Sequence, residues 1–254
     1  MDKRTRLLIV VGVGIALCGV YVWLFGVQTL LTLQARSMKR KFPVIKETPV
    51  ALTDLSISQA LGQKLSYFGY EFEVPWKDVD ESRTRTIGGG RAVIAFRSGN
   101  ALSFWTGPPH KLPGGYTAPE DGNLDEQALR TMFGDEVMKS GYEFDRVMLE
   151  TTPRRITPFI PKKAAIRRMI FLSLKSFTVP MNAESGIYSV AAGEFKGFQF
   201  GKPPIPRGGL IVELYSDNGS LDFIFGQKLN GPTMISQGDI NRILHTLRRV
   251  PAEP

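Results

Sequence analysis

From Leu7 to Val27 the chain reads LLIVVGVGIALCGVYVWLFGV, 21 residues without a polar break, and no charge occurs between Arg6 and Arg36. As a helix rising about 1.5 Å per residue, this run is about 31 Å long, which matches the hydrocarbon core of a bilayer. A helix with no polar face has no stable place at a water-facing surface, so the run commits one end of the chain to a membrane. A cleavable secretory signal has a shorter apolar core, about 7–15 residues, followed by a small-x-small site. The nearest candidate triplet, Leu33-Gln34-Ala35, begins with leucine, and Leu17 stands where a lipoprotein signal needs a small residue before Cys18. The pattern therefore predicts a retained anchor, with secretion after cleavage as the alternative. Residues 1–6 become a cytoplasmic stub, 7–27 a transmembrane signal anchor, 28–50 a basic juxtamembrane stalk continuing the helix for about two turns, and 51–254 an extracytoplasmic domain.

Charge alone does not set the orientation. Lys3, Arg4 and Arg6 precede the run, while Arg36, Lys39, Arg40, Lys41 and Lys46 follow it. Long carboxy-terminal domains translocate largely regardless of charge. The single cysteine, Cys18, lies inside the run, so the part downstream has no thiol to misoxidise. Both points favour an exported domain. Gly12, Ala16 and Gly19 share one face of the anchor, a spacing that suits helix pairing. Glycine is common in such spans, so a generic anchor is the leading reading and helix pairing the alternative. Tyr21 and Trp23 suit the interfacial aromatic position.

Of the formal charge of +8, residues 1–48 carry +6, so the rest is nearly neutral. Within it the charge is segregated: Thr151 to Ala183 holds seven basic residues and no acid. In Pro161–Lys175, Ile166, Met169, Ile170 and Leu174 form an apolar face beside Lys162, Lys163, Arg167, Arg168 and Lys175. Such a helix either contacts anionic lipid or packs on a core with a solvated basic side. Nucleic acid is not expected, because no aromatic-basic module occurs.

The domain's periodicities predict an α+β fold, a mostly antiparallel sheet packed by helices. Thr53 or Asp54 can cap a helix with Leu55, Ala60, Leu61 and Leu65 on one face. Alternation then places Phe68, Tyr70, Phe72 and Val74 on one side of a strand that Pro75 ends. Arg91–Phe96 and Ala101–Trp105 form a hairpin across Ser98-Gly99-Asn100. Residues 106–123 are a Pro- and Gly-rich loop, Asn123 caps a helix through Met132, and Glu143–Glu150 reads as a strand. Helices start at Thr152-Pro153 and at Pro161. Strands follow at Gly186–Ala192, Glu194–Phe200, Leu210–Tyr215 and Leu221–Phe225. Ser236 and Asp239 then make a capping box before a helix that buries Ile240, Ile243, Leu244 and Leu247, with Ile235 and Ile240 as its staple.

The Tyr70-to-Trp76 strand, the antiparallel middle and the closing helix after Ser236 resemble the PsbP/Mog1 type of α-β-α sandwich over about residues 52–250. That resemblance implies a binding or assembly factor, although a fold by itself carries no function. The long 106–123 loop departs from its pattern.

Catalytic and cofactor signatures are missing. The chain has two histidines, His110 in the Pro/Gly loop and His245 on the last helix, so no zinc set of His and Cys can be assembled. No Gly-x-Ser-x-Gly elbow, P-loop or His-Glu-x-x-His occurs, and no cofactor fingerprint. Gly88-Gly89-Gly90 between Arg85 and Arg91 reads as a turn between strands. Asp78, Asp80 and Ser82 have the opening spacing of a calcium loop but lack its glycine and its terminal acid. The leading expectation is a non-catalytic, membrane-anchored binding or assembly domain with the bilayer and an envelope protein as partners. A carboxylate- or serine-dependent hydrolase, for instance through Glu71 or Glu73, and a peripheral contact to anionic lipid through residues 161–175 are the alternatives.

Overall fold

The computed structural model describes residues 3–60, 62–107, 126–205, 209–227 and 234–250. Two compact units result: Met1–Lys46 with Thr151–Phe177, and Glu47–Glu150 with Thr178–Pro254.

The first unit is built on α1 (Lys3–Lys41), a helix of 39 residues and about 58 Å. It is long and apolar enough to cross a membrane. Every described side chain from Leu17 to Leu24 is exposed, and Trp23 is 84% exposed. From Gln28 onward the same helix carries a buried stripe of Gln28, Thr32 and Ala35 at helical spacing. The helix therefore runs well past the expected two turns. A single turn of tighter helix at Pro153–Arg155, where Thr152-Pro153 predicted a start, packs on α1. The second long helix, α4 (Lys162–Thr178), buries Ala165, Met169, Leu172 and Lys175. Its apolar face is rotated from the expected one, since Ile166 is exposed.

The second unit contains an eight-stranded sheet and a three-stranded sheet. The large sheet runs in the order β1 (Pro49–Ala51), β7 (Ile187–Ala192), β8 (Phe195–Phe200), β9 (Leu210–Ser216), β10 (Gly219–Gln227), β6 (Asn100–Gly107), β5 (Arg91–Ala95), β4 (Arg85–Ile87). Only the β1–β7 pair is parallel. The triple glycine is the β4–β5 turn. The small sheet joins β2 (Gln63–Tyr67), β3 (Tyr70–Val74) and β11 (Arg248–Arg249).

Alternation along the central strands sets the core. Leu102 and Phe104 on β6, Val212 and Leu214 on β9, and Leu221, Phe223 and Phe225 on β10 are all fully buried on one face. Phe72 of β3 meets Phe104 and Phe223 there, at ring separations of 5.3 and 5.4 Å. The helix α5 (Gln237–Thr246) closes this layer with Ile240, Ile243 and Leu244, and Leu247 follows it. Its amino end has the expected capping box between Ser236 and Asp239.

Three local readings change. Residues 52–60 contain no helix. Asn241 donates to the carbonyls of Asp54 and Ser56, and Arg242 to that of Ser58, so α5 holds the segment extended. The expected strand through Phe68 is a hairpin. Phe68 and Gly69 have φ of 52° and 77°, which is the two-residue turn that matches strand twist, so Phe68 leaves the core face. Residues Gly141–Glu150 are a helix, α3, not a strand. Phe144, Asp145, Met148 and Leu149 are buried at helical spacing, the Ser140 hydroxyl accepts the Glu143 amide, and Arg146 pairs with Glu143 and Glu150 one turn either way. Upstream, α2 spans Glu126–Phe133. Asn123, His110 and nearly all of the 106–123 loop lie outside the described residues.

Candidate functional site

The face of the large sheet opposite the aromatic core carries the unusual chemistry. Register places Asp222 of β10 directly across from Glu213 of β9 on one side and Trp105 of β6 on the other, and Trp105 in turn faces Arg91 of β5. Phe198 of β8 continues the row beyond Glu213. Two carboxylates directly opposite each other on neighbouring strands destabilise a sheet. Here they line a cavity of about 480 Å³ walled also by Trp105, Met148, Val179, Phe200 and Tyr215, with Asp145 of α3 facing them.

Tyr215 organises the acids. Its hydroxyl donates to Asp145 and lies 3.4 Å from a carboxylate oxygen of Glu213. Tyr142, stacked on Phe198 with ring centres 5.3 Å apart, covers the row's outer end. The Arg91 guanidinium sits 4.1 Å above the Trp105 ring. The Trp105 Nε1 has no hydrogen-bond partner among the described residues.

Proton affinities follow from this placement. Burial pushes Asp145 up to about 6, opposed by the Tyr215 hydrogen bond and reinforced by the charge of Asp222. Burial alone lifts Asp222 to about 6. Glu213 is raised well above the carboxylate range, first by burial and then by the charges of Asp145 and Asp222. Tyr215 is held far above its ordinary value, first by burial and then by the adjacent acids. Near neutrality the cluster thus changes charge with small changes in pH, and a cation inside the cavity would hold it ionised.

The residues singled out from the sequence lie elsewhere. Glu71 is paired with Lys64 at 2.6 Å and with Arg248 at 2.8 Å, which hold its carboxyl below the usual range, Lys64 most strongly. Glu73 is paired with Arg242 at 2.8 Å. Neither joins the acidic cavity. Asp78 and Asp80 serve turns, accepting the Ser98 amide and the Ser82 amide and hydroxyl. His245 is exposed at the end of α5. Lys162 and Lys163 are exposed, and Arg168 donates to the Arg155 carbonyl at 2.5 Å. Arg167 is half-buried on α4. Lys175 is a correction: it is fully buried and donates to the Thr151 carbonyl at 3.2 Å, so it has no surface to offer a lipid. Gly12, Ala16 and Gly19 lie on α1, and nothing stands within 4 Å of a side chain added at Gly19.

The cavity is not legible in the sequence because its residues occupy the polar phase of ordinary two-period strands. Glu213 and Asp222 look like solvent-facing positions until register sets them opposite each other. Asp145 was hidden by the misread strand. Among the described residues no group of three His, Cys, Asp or Glu is arranged to hold a metal ion. Compared with family models, with curated proteins and with solved structures, the chain has no match.

Proposed function

We propose that the chain is a membrane-anchored, extracytoplasmic binding domain that takes a cationic group into the cavity bounded by Asp145, Glu213 and Asp222. The observation that carries this reading is the row of facing carboxyls opening into a void that also offers aromatic and aliphatic walls. Pockets of this kind, apolar with a few convergent polar groups, are the usual form of a ligand site. The carboxyls supply attraction and orientation for an amine or guanidinium, and Trp105, Met148 and Phe200 supply the apolar contact.

The test is a thermal-shift titration of the full chain in mild detergent against matched amines, neutral analogues and carboxylates. Amines are expected to raise the unfolding midpoint, more at pH 7.5 than at pH 5, and Asp222→Asn with Glu213→Gln to remove the shift. A ligand at about 100 times its dissociation constant stabilises by about 2.7 kcal/mol, which such a titration resolves easily. Equal shifts from carboxylates would count against the reading. Crosslinking from Tyr142→Cys in intact membranes separates a free amine from a basic side chain of an envelope protein.

The facing carboxyls of Asp222 and Glu213 favour a second reading. Carboxyls held at about 6 can exchange protons near neutral pH, as acid–base hydrolysis requires. Turnover in a glycoside and ester panel that disappears in Asp222→Asn would establish that role.

A further inference from the structure

The geometry points to a second membrane contact, made by Phe159 and two flanking pairs of basic residues, which seats the Thr151–Phe177 segment on the leaflet from which α1 emerges.

Phe159 is 77% exposed, yet its ring meets Phe25 of α1 edge-on with centres 5.9 Å apart. Phe25 in turn meets Tyr21 at 5.5 Å. Phe25 lies in the last turn of the Leu7–Val27 run, just before the buried stripe that begins at Gln28, while Leu30 and Leu33 stay exposed on the other side of α1. A side chain touching Phe25 from outside therefore sits at the edge of the hydrocarbon. Tyr21, Phe25 and Phe159 form a continuous aromatic group at the depth where aromatic side chains concentrate in membrane proteins. An aromatic ring so exposed is costly in water and well placed in a bilayer.

The charges stand at the matching height. Arg154 and Arg155 precede Phe159, Lys162 and Lys163 follow it, and all four are exposed. Near α4's other end Phe177 meets Phe42 at 6.5 Å, so α4 rises beside the same stretch of α1 that leaves the bilayer. Its first turn, with Lys162 and Lys163, lies just above Phe159, at the level of lipid phosphates. Arg167 and Arg168 lie about 8 Å higher at 1.5 Å per residue. The helix thus meets the membrane with its amino end. It does not lie flat on the surface as an amphipathic helix would. With seven basic residues and no acid from Thr151 to Ala183, the segment suits a leaflet containing anionic lipid.

The inference rests on α1 crossing the bilayer, and the test separates the two. The lone cysteine makes site-directed spin labelling direct: in a Cys18→Ser background, single cysteines replace Val20, Phe159 or Asp217 in the full chain in lipid nanodiscs. Collision rates with oxygen and with a water-soluble nickel chelate report depth. The Val20 label must read as apolar for α1 to span. Given that, the Phe159 label is expected to favour oxygen as Val20 does, and the exposed-turn Asp217 label to favour nickel. A Phe159 label as open to nickel as Asp217 overturns the contact. Enrichment of spin-labelled phosphatidylserine over phosphatidylcholine around the full chain is expected to fall about fivefold in each of Lys162→Gln and Lys163→Gln, the attraction of about one basic residue at a membrane surface. Unchanged enrichment would overturn the assignment of those two lysines.

Discussion

Asp222 shows what a single buried carboxyl costs the fold. Its carboxyl is held up to about 6 by burial, against an ordinary value of 3.8. A group whose affinity for protons is higher in the folded state favours folding while it is protonated, and that advantage disappears as pH rises from the unfolded to the folded value. Asp222 and Asp145 therefore make the domain progressively less stable between about pH 4 and pH 6 and leave it at a lower plateau above. Asp222→Asn is expected to raise stability at pH 7.5 by roughly 1 to 3 kcal/mol and to change little at pH 3.5. Urea titrations at the two pH values check this, and a loss of stability at pH 7.5 would mean that the ionised carboxyl is well served where it stands. Tyr215 has the opposite role: its hydroxyl compensates Asp145 and borders Glu213. Tyr215→Phe removes that donor, leaves the ring's packing, and is expected to push the Asp145 carboxyl further above 6, readable by carboxyl-resolved NMR titration.

At the level of elements, α5 is the organiser. Its capping box starts it, its apolar face closes the core, and its polar face holds residues 54–58 through Asn241 and Arg242. Asn241 also accepts from Gln237, which itself exchanges hydrogen bonds with Gln199 of β8. Asn241→Ala is expected to cost about 1 to 3 kcal/mol by leaving these groups unsatisfied and to release amide protection at Ser58, whose N–H is held by the Gly238 carbonyl. Hydrogen exchange that leaves Ser58 protected would show that the segment holds itself. The same helix explains why some elements were legible in the sequence and others were not. Ser236, Asp239 and the Ile240–Leu247 spacing act locally, so they could be read directly, as could the hairpin turn at Ser98-Gly99-Asn100. Residues 52–60 are held extended by side chains about 185 positions away, which local propensity does not register. Helix α3 was not legible because Val147 and Leu149, two residues apart, also fit a short strand. The cavity was lost with it, since facing acids are a property of register between strands rather than of any one strand.

For the molecule as a whole, the division into units changes what the long apolar helix α1 means. The stretch from Thr151 to Phe177 belongs with α1 and not with the sheet domain around it in sequence. Pro153 is buried where its turn packs on α1, and Gln28, Thr32 and Ala35 form the buried stripe of that helix. A fragment of residues 50–254 keeps all the strands from β2 onward and loses α1 entirely. The sheet core of Phe72, Phe104, Phe223 and α5 is intact in such a fragment, so it is expected to fold cooperatively and to keep near-native β-sheet circular dichroism. Residues 151–177 lose their partner helix, and with it the surface against which they fold. A basic, acid-free segment whose apolar side is uncovered in this way is expected to exchange its amides rapidly, to be nicked first by trypsin at Arg154, Arg155, Lys162 or Lys163, and to drive concentration-dependent association. Limited proteolysis with mass spectrometry, run beside the full chain in nanodiscs, checks this. Cleavage that begins within the strands, or equal protection of residues 151–177 in fragment and full chain, would show that this segment folds with the sheet and that α1 serves only as a tether.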